Sequence, residues 1–407
     1  MIKIRYLVVV FTFILTIILY VDRICISVAK DGIVTDLGLT ERQMGWVLSA
    51  FALGYALFQT PAGIFADRRG SRMVLSLIVL LWSLFTALTG AVRSFFSLIV
   101  VRTLFGAGEA GAFPGISRAV FSWIPMKERG LVTGINFSGS RLGAAFALPF
   151  VAWLIEMIGW RQSFYILGVF GILWAVAWYF FFRDEPAEHK MVGSGERNEI
   201  DSQRQKGSVQ KKVLNLQAVT NSRNMWLIML QYFCSNFTFF FCLTWLFPYI
   251  RQTYDLDAMS AGFYSSAPLL MGAVGNWFSG WFVDRIYAKG NWTLSRRLPA
   301  MIGFTLAAAG LIAGLYMDNV VGAIIFLSIA VFGADMTLSP SWAFCVDIGR
   351  EHSGAVSGTM NMAGNIGSFL TALAFPYLNA WTGSTAPFFI LGALLNILAI
   401  VAWTKLQ

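Results

Sequence analysis

Charge is what this chain has least of. Only 13% of its 407 residues are Asp, Glu, Lys or Arg, too few to clothe a water-soluble protein of this length. Histidine occurs twice, as His189 and His352, both in stretches that read as loops, which leaves no basis for a histidine-built metal site. The four cysteines, Cys25, Cys234, Cys242 and Cys345, sit inside apolar segments without a C-x-x-C spacing, so they read as buried thiols rather than disulfides or metal ligands. Without an intramembrane histidine or clustered cysteines, the sequence offers neither an activated nucleophile nor a metal centre, which argues against a membrane enzyme. Neither a metal nor a cofactor is expected.

Long apolar runs take the place of charge. Hydrophobic residues make up 57% of the chain, and the mean hydropathy is +0.66. Twelve segments approach the roughly 20 apolar residues that a spanning helix needs: 5–28, 43–66, 73–92, 95–123, 129–157, 162–183, 224–250, 259–283, 298–316, 320–346, 353–380 and 385–404. Backbone in lipid must satisfy its own hydrogen bonds, so helices are expected throughout. Lys3 and Arg5 ahead of the first run imitate a signal peptide. Asp22 and Arg23 interrupt that run and a second one follows, so it reads as a retained transmembrane helix. The net charge of +9 would suggest nucleic acid in a soluble protein. Here the basic residues lie between apolar runs, mostly on one set of alternating loops, so they read as a topology signal with both termini cytoplasmic, and no nucleic-acid partner is expected.

The longest polar stretch separates spans six and seven. It divides the chain into residues 1–186, a cytoplasmic linker 187–222, and residues 223–407. The two halves repeat one another. Gly63-Ile64-Phe65-Ala66-Asp67-Arg68 closes span two and Gly280-Trp281-Phe282-Val283-Asp284-Arg285 closes span eight. Gly130, Gly134 and Gly143 open span five as Gly354, Gly358 and Gly367 open span eleven. Parallel repeats of this kind place a substrate site near the midplane, between the halves.

The run Gly63-x-x-x-Asp67-Arg68-x-Gly70-x-Arg72 resembles the signature loop of the major facilitator superfamily. Tyr20-x-Asp22-Arg23, Tyr55 with Pro61, and Arg102 seven residues before Glu109 are similar to the anion:cation symporter family, whose members include sugar-acid, sialic acid and vesicular glutamate carriers. The resemblance implies an all-α integral membrane protein of twelve helices, in two six-helix halves related by a pseudo-two-fold axis, and by analogy a monomer. The signature loop has a physical reading as well. Asp67 and Arg68, with Arg72, sit where the positive start of span eleven faces them, so a carboxylate there can latch the halves and release them. Asp284 and Arg285 stand in the equivalent place toward span five. The alternative is solvated loop charge.

Ionisable groups at membrane depth are costly, about 2.5–3.5 kcal/mol each on insertion scales, and mark function by default. Arginine keeps its charge and offers a fork of donors suited to a carboxylate. A buried acid can take and release a proton. Anion binding therefore falls to Arg23 and Arg102, and proton carriage to Glu109 and Asp22, the same division the resemblance implies. Arg141, in Ser138-Gly139-Ser140-Arg141, stands where relatives often carry an uncharged residue. It is either a third anion anchor or the partner of an acid such as Asp335. Positions matching the family add Tyr20, Tyr55, Ser140, Ser341, Trp342, Asn361 and Asn365 to the pocket. For each of these, helix packing is the competing role.

The expected function is import of a small organic anion with protons through a bacterial plasma membrane. A sugar acid such as a hexonate, hexuronate or aldarate is the favoured cargo. Short external loops, with both sequons (Asn236-Phe237-Thr238 and Asn291-Trp292-Thr293) outside the external surface, favour that setting. Carriers of other carboxylates, a cation or drug exporter, and a transport-dead sensor remain alternatives. The intramembrane arginines weigh against a cationic cargo.

Overall fold

A computed structural model describes residues 3–124, 129–203, 222–349 and 353–406, with the backbone alone for a few helical residues, Asp67 and Arg68 among them. Helix covers each of the twelve expected spans. Nine helical stretches among the described residues are long and apolar enough to cross a membrane. Large apolar side chains such as Leu57, Phe96, Leu173 and Phe180 point outward, as a lipid-facing surface requires.

The sequence marks where several helices begin. Thr40 accepts the backbone N–H of Gln43, whose side chain returns the bond, so span two starts on a capping box. Ser94, Asp257, Asn291 and Asn319 cap the starts of spans four, eight, nine and ten. Gly70, in the signature loop between spans two and three, has φ +78°, and a Cβ there would meet the Asp184 carboxyl at 2.6 Å. Only glycine suits that turn.

Three spans are broken, span seven at Trp245 and spans four and ten at places that correspond. Span four runs as Phe95–Glu109 and Ala112–Trp123, and span ten as Val320–Met336 and Leu338–Gly349. An acid stands at the end of the first segment in each, Glu109 in one and Asp335 in the other. Five residues beyond each acid the sequence carries a proline, Pro114 and Pro340, in the first turn of the second segment, a position that suits a helix start and not a helix interior. A carboxylate at a helix C-terminus adds to the negative end of the helix dipole, so each position calls for a cation.

Spans two, five, eight and eleven (Glu41–Arg69, Arg129–Ile158, Ala258–Tyr287 and Ser353–Thr382) are 29 to 30 residues long, and each contains a proline, Pro61, Pro149, Pro268 and Pro376 respectively. They join the halves at the face away from the termini. A Cβ on Gly45 would lie 2.8 Å from Pro376, and one on Gly262 would lie 2.9 Å from Pro149. Four residues further on, Ser49 donates to the Phe369 carbonyl at 3.0 Å and Ser266 to the Ala145 carbonyl. This repeated G-x-x-x-S is a signal that the reading of the repeats above missed. The same face carries the pair Arg251–Asp31 at 3.1 Å, the buried Lys30 on Glu41 at 2.7 Å, and Ser27 on the Thr244 carbonyl at 2.6 Å.

Both termini lie at the opposite face. Arg297 donates to the Leu406 carbonyl. The polar stretch read as a plain linker is ordered at its start. A helix over Ser194–Gln203 brings Glu196 to the backbone N–H groups of Ile4 and Arg5, at 3.1 and 2.9 Å, and Glu199 to Lys3 at 2.7 Å. His189 packs edge-on against Trp123 and Phe181. Residues 204–221 of that stretch lie outside the described residues.

Candidate functional site

Tyr20 and Arg23 are three residues apart on span one and share a face. The Arg23 guanidinium lies 4.9 Å from the Tyr20 ring, 5.0 Å from Phe51 and 4.9 Å from Tyr55, the last two four residues apart on span two. These three aromatic faces hold a cation and displace water around it. Arg23 Nε donates to Glu109 Oε1 at 2.7 Å, and Glu109 is fully buried. Two turns before Glu109, Arg102 rests on Phe51 and Phe105 at 5.4 and 4.6 Å. Among the described residues, Arg23 Nη2, Arg102 Nε and Glu109 Oε2 are buried with no hydrogen-bond partner. Unmet donors and acceptors of this kind are costly unless a ligand or a change of protonation uses them.

Asp22 turns the other way, as one step of 100° along a helix requires. Thr86 on span three donates to its Oδ2 at 3.3 Å, while Oδ1 has no partner.

Arg141 is half of a second pair. Its Nε donates to Asp335 Oδ2 at 2.8 Å and its Nη2 to Oδ1 at 2.7 Å. Both residues are buried, and the pair joins span five of one half to span ten of the other. Phe239 covers the guanidinium face at 3.8 Å. A Cβ on Gly272 would collide with Asp335 Oδ2, so that glycine makes room for the carboxylate. Of the two alternatives left open for Arg141, the structure supplies the acid partner. The remaining nitrogen, Nη1, reaches the Tyr20 hydroxyl at 3.5 Å. Tyr20 thus stands between the two arginine–carboxylate pairs. A small cleft alongside is lined by Arg23, Phe51 and Arg102 from one half and by Phe240, Leu243 and Thr244 from the other.

The remaining expected pocket residues divide. Tyr55 belongs to the Arg23 cluster. Trp342 donates to the Tyr232 hydroxyl at 3.2 Å and faces Phe137 across the halves at 6.4 Å. Asn361 and Asn365 are half-buried, one turn apart, with the Asn365 side chain on the Asn361 carbonyl. The Ser140 hydroxyl is buried without a partner. Ser341 is fully buried within its own half, 2.6 Å from the Thr337 carbonyl and 3.2 Å from Gln231 Oε1, the arrangement of the packing role weighed against a pocket role above. One residue's difference along the helix turns it away from Trp342 and into packing.

The expected gate is partly visible. The side chains of Asp67 and Arg68 lie outside the described residues. Arg72 donates to the Tyr179 carbonyl at 2.9 Å and stacks on the Tyr179 ring, and its backbone N–H meets Asp184, so in this state it braces span three against span six of the same half. Asp284 and Arg285 are exposed, with Arg285 against Trp281. Phe51, Phe239 and Gly272 escaped the sequence reading. An aromatic one turn from Tyr55 was a usable signal for Phe51. Nothing in the sequence marks Phe239 within its phenylalanine run.

Among the described residues, no group of His, Cys, Asp and Glu side chains is arranged to hold a metal ion. Comparison with known proteins gives a consistent picture. The profile of the Major Facilitator Superfamily matches residues 12–372. A probable sulfoacetate transporter of Cupriavidus necator is 35% identical over 387 residues, 95% of this chain and 90% of that protein. A probable galactarate/D-glucarate transporter of Bacillus subtilis is 33% identical, covering 94% and 87%. A D-galactonate transporter of Escherichia coli is 31% identical, covering 92% and 89%. In overall shape the chain matches a bacterial homolog to the human lysosomal transporter Spinster, solved in an inward-facing and occupied conformation. The TM-score is 0.76 at 19% identity, over 98% of this chain and 96% of that one, a likeness of fold alone.

Proposed function

The chain belongs to the major facilitator superfamily, as a multi-pass membrane transporter of organic anions rather than an enzyme, and from that premise we propose that it imports a sugar acid together with protons. The observation that carries the reading is the buried Arg23–Glu109 pair beside Arg102, with donors of both arginines and one oxygen of the acid left unpartnered. A carboxylate substrate satisfies the arginine donors, and a proton on Glu109 removes the competing anion. Asp22, with one free oxygen, is the second proton carrier. The named cargoes of the relatives, which include galactarate/D-glucarate, D-galactonate and hexuronate, support a polyhydroxy acid. Tyr20, Tyr55, Asn361 and Asn365 then face its hydroxyls.

The cycle moves the halves, 1–186 and 223–407, about this site. With the face away from the termini sealed, the loaded site opens toward the termini, which we assign to the cytoplasm of a bacterial cell. Proton and anion leave together, Glu109 re-forms its bond to Arg23, and the empty carrier reorients. The Asp67–Arg68–Arg72 loop and Asp284–Arg285 engage when the cytoplasmic face closes.

The test is uptake of labelled sugar acids into proteoliposomes with and without an inward proton gradient, by the unmodified chain and by Glu109→Gln. The expected result is gradient-driven accumulation that the variant loses while keeping counterflow exchange. A variant that still concentrates substrate removes the coupling role from Glu109. A second cargo class has its own support: the probable sulfoacetate transporter makes sulfoacetate the first non-sugar anion to try.

A further inference from the structure

Arg141 offers more than an ion pair. Asp335 grips its Nε and Nη2 along one side of the fork, and Phe239 covers a face. That leaves the Nη1 end, which extends toward Tyr20 and reaches the hydroxyl only at the outer limit of a hydrogen bond. Tyr20 is also one wall of the Arg23 site. An unspent guanidinium edge of the same half therefore lies across Tyr20 from Arg23, held there by an acid of the other half, with an unpartnered Ser140 hydroxyl on the adjacent residue.

We infer that the Nη1 end of Arg141 receives a second anionic group, so that this carrier prefers dianions, with Asp335 as the residue that positions it. The inference rests on the anion-import reading above and adds the charge of the cargo. Charge balance supports it. Arg23, Arg102 and Arg141 face Asp22, Glu109 and Asp335, so the empty site is neutral. Two protons on Glu109 and Asp22 leave two positive charges, which a dianion cancels and a monoanion does not. Buried charge without compensation is costly. Because Asp335 keeps its own bonds to Nε and Nη2, binding at Nη1 strands no carboxylate. Bidentate hold by Asp335 also fixes the guanidinium plane, which a lysine or an unpaired arginine would not.

The experiment compares substrates that differ in one charge. Binding of D-glucarate against D-gluconate, and of sulfoacetate against acetate, is measured on the purified full-length protein at one pH. The proteins are the unmodified chain, Arg141→Gln, Asp335→Asn, and the double variant Arg141→Gln/Asp335→Asn, in which neither charge is left buried alone. The expected result is a dianion preference that falls about 10- to 100-fold in Arg141→Gln and in the double variant, the size of a lost charge-assisted contact, with monoanion affinity changed less than about 3-fold. Asp335→Asn keeps the charge of Arg141 but not its aim, and gives an intermediate loss. A merely structural pair would weaken both members of each substrate pair alike. Equal affinity for both members of both pairs in the unmodified chain, or a preference that survives in the double variant, overturns the inference. Binding of sulfoacetate with neither sugar acid bound would overturn the sugar-acid reading and leave the dianion reading standing. Binding of none of the four would overturn both.

Discussion

Glu109 has one oxygen on Arg23 and one on nothing, and the proposed coupling turns on that imbalance. Arg23 makes its bond to Glu109 through Nε, so a lysine in its place keeps the charge but loses the fork and its stacking on Tyr20, Phe51 and Tyr55. Substrate affinity of Arg23→Lys is expected to fall about 10-fold or more, measured by titration of the purified protein; unchanged affinity would detach Arg23 from the anion. Gly272 makes a different kind of prediction. Any Cβ there runs into Asp335 Oδ2, so Gly272→Val should destabilise the protein by about 1–3 kcal/mol, read as a lowered unfolding midpoint in detergent. In a background of Asp335→Ala with Arg141→Gln, which leaves neither charge buried alone, Gly272→Val should cost less. Residues such as these were unequally legible. Glu109, Arg102 and Asp335 stood out because charge in an apolar run is expensive. That Arg141 meets Asp335 was one of two alternatives the sequence left open, because their 194-residue separation is closed only in the fold, where span five packs on span eight and span eight on span ten.

At the scale of the element, apolar runs gave the helices, and capping residues such as Thr40, Asp257 and Asn319 fixed several of their starts. The breaks after Glu109 and Asp335 went unread, although Pro114 and Pro340 stand five residues beyond the two acids, in the first turn of each second segment, where a proline cannot complete the i−4 bond of a continuous helix. The helix over Ser194–Gln203 went unread for a different reason. It is polar apart from the buried Ile200, and it is held by two carboxylates on the first turn of the chain rather than by a continuous apolar stripe. Hydrogen bonds from Arg5 and Lys3 hold the Glu199 carboxyl down at about 2, below the ~4.3 of a free glutamate. A lowered pKa stabilises the docked form fully above the free value, and that contribution is lost as pH falls through about 2. Docking should therefore be flat from about pH 5 to 8. Amide hydrogen exchange at Ile4 and Arg5 checks this once corrected for intrinsic rates. Protection that faded between those limits would count against it, whereas Glu196→Gln with Glu199→Gln should abolish protection at any pH.

For the whole molecule, the sealed face makes a prediction about motion. Asp31 and Arg251 bridge the halves there at 3.1 Å. A disulfide between cysteines placed at these two positions should hold that face shut and stop transport, and reduction should restore it. Full transport by the cross-linked carrier would mean that the halves do not part at this face. The repeat of G-x-x-x-D-R pointed to two matched halves in the sequence, yet it lies toward the termini, away from the seal. The repeated contacts that join the halves are Gly45 against Pro376 and Gly262 against Pro149, with Ser49 and Ser266 bound to main-chain carbonyls.

Those two seals are made of glycine, proline, serine and backbone carbonyls, and none of the hydrogen bonds and ring contacts described above for the charged centre involves them. Cargo and lock are thus separate inheritances. Mutation can redraw the pocket from one acid to another without re-inventing the gate. One duplicated chassis can in this way descend into carriers named for sulfoacetate, galactonate or hexuronate.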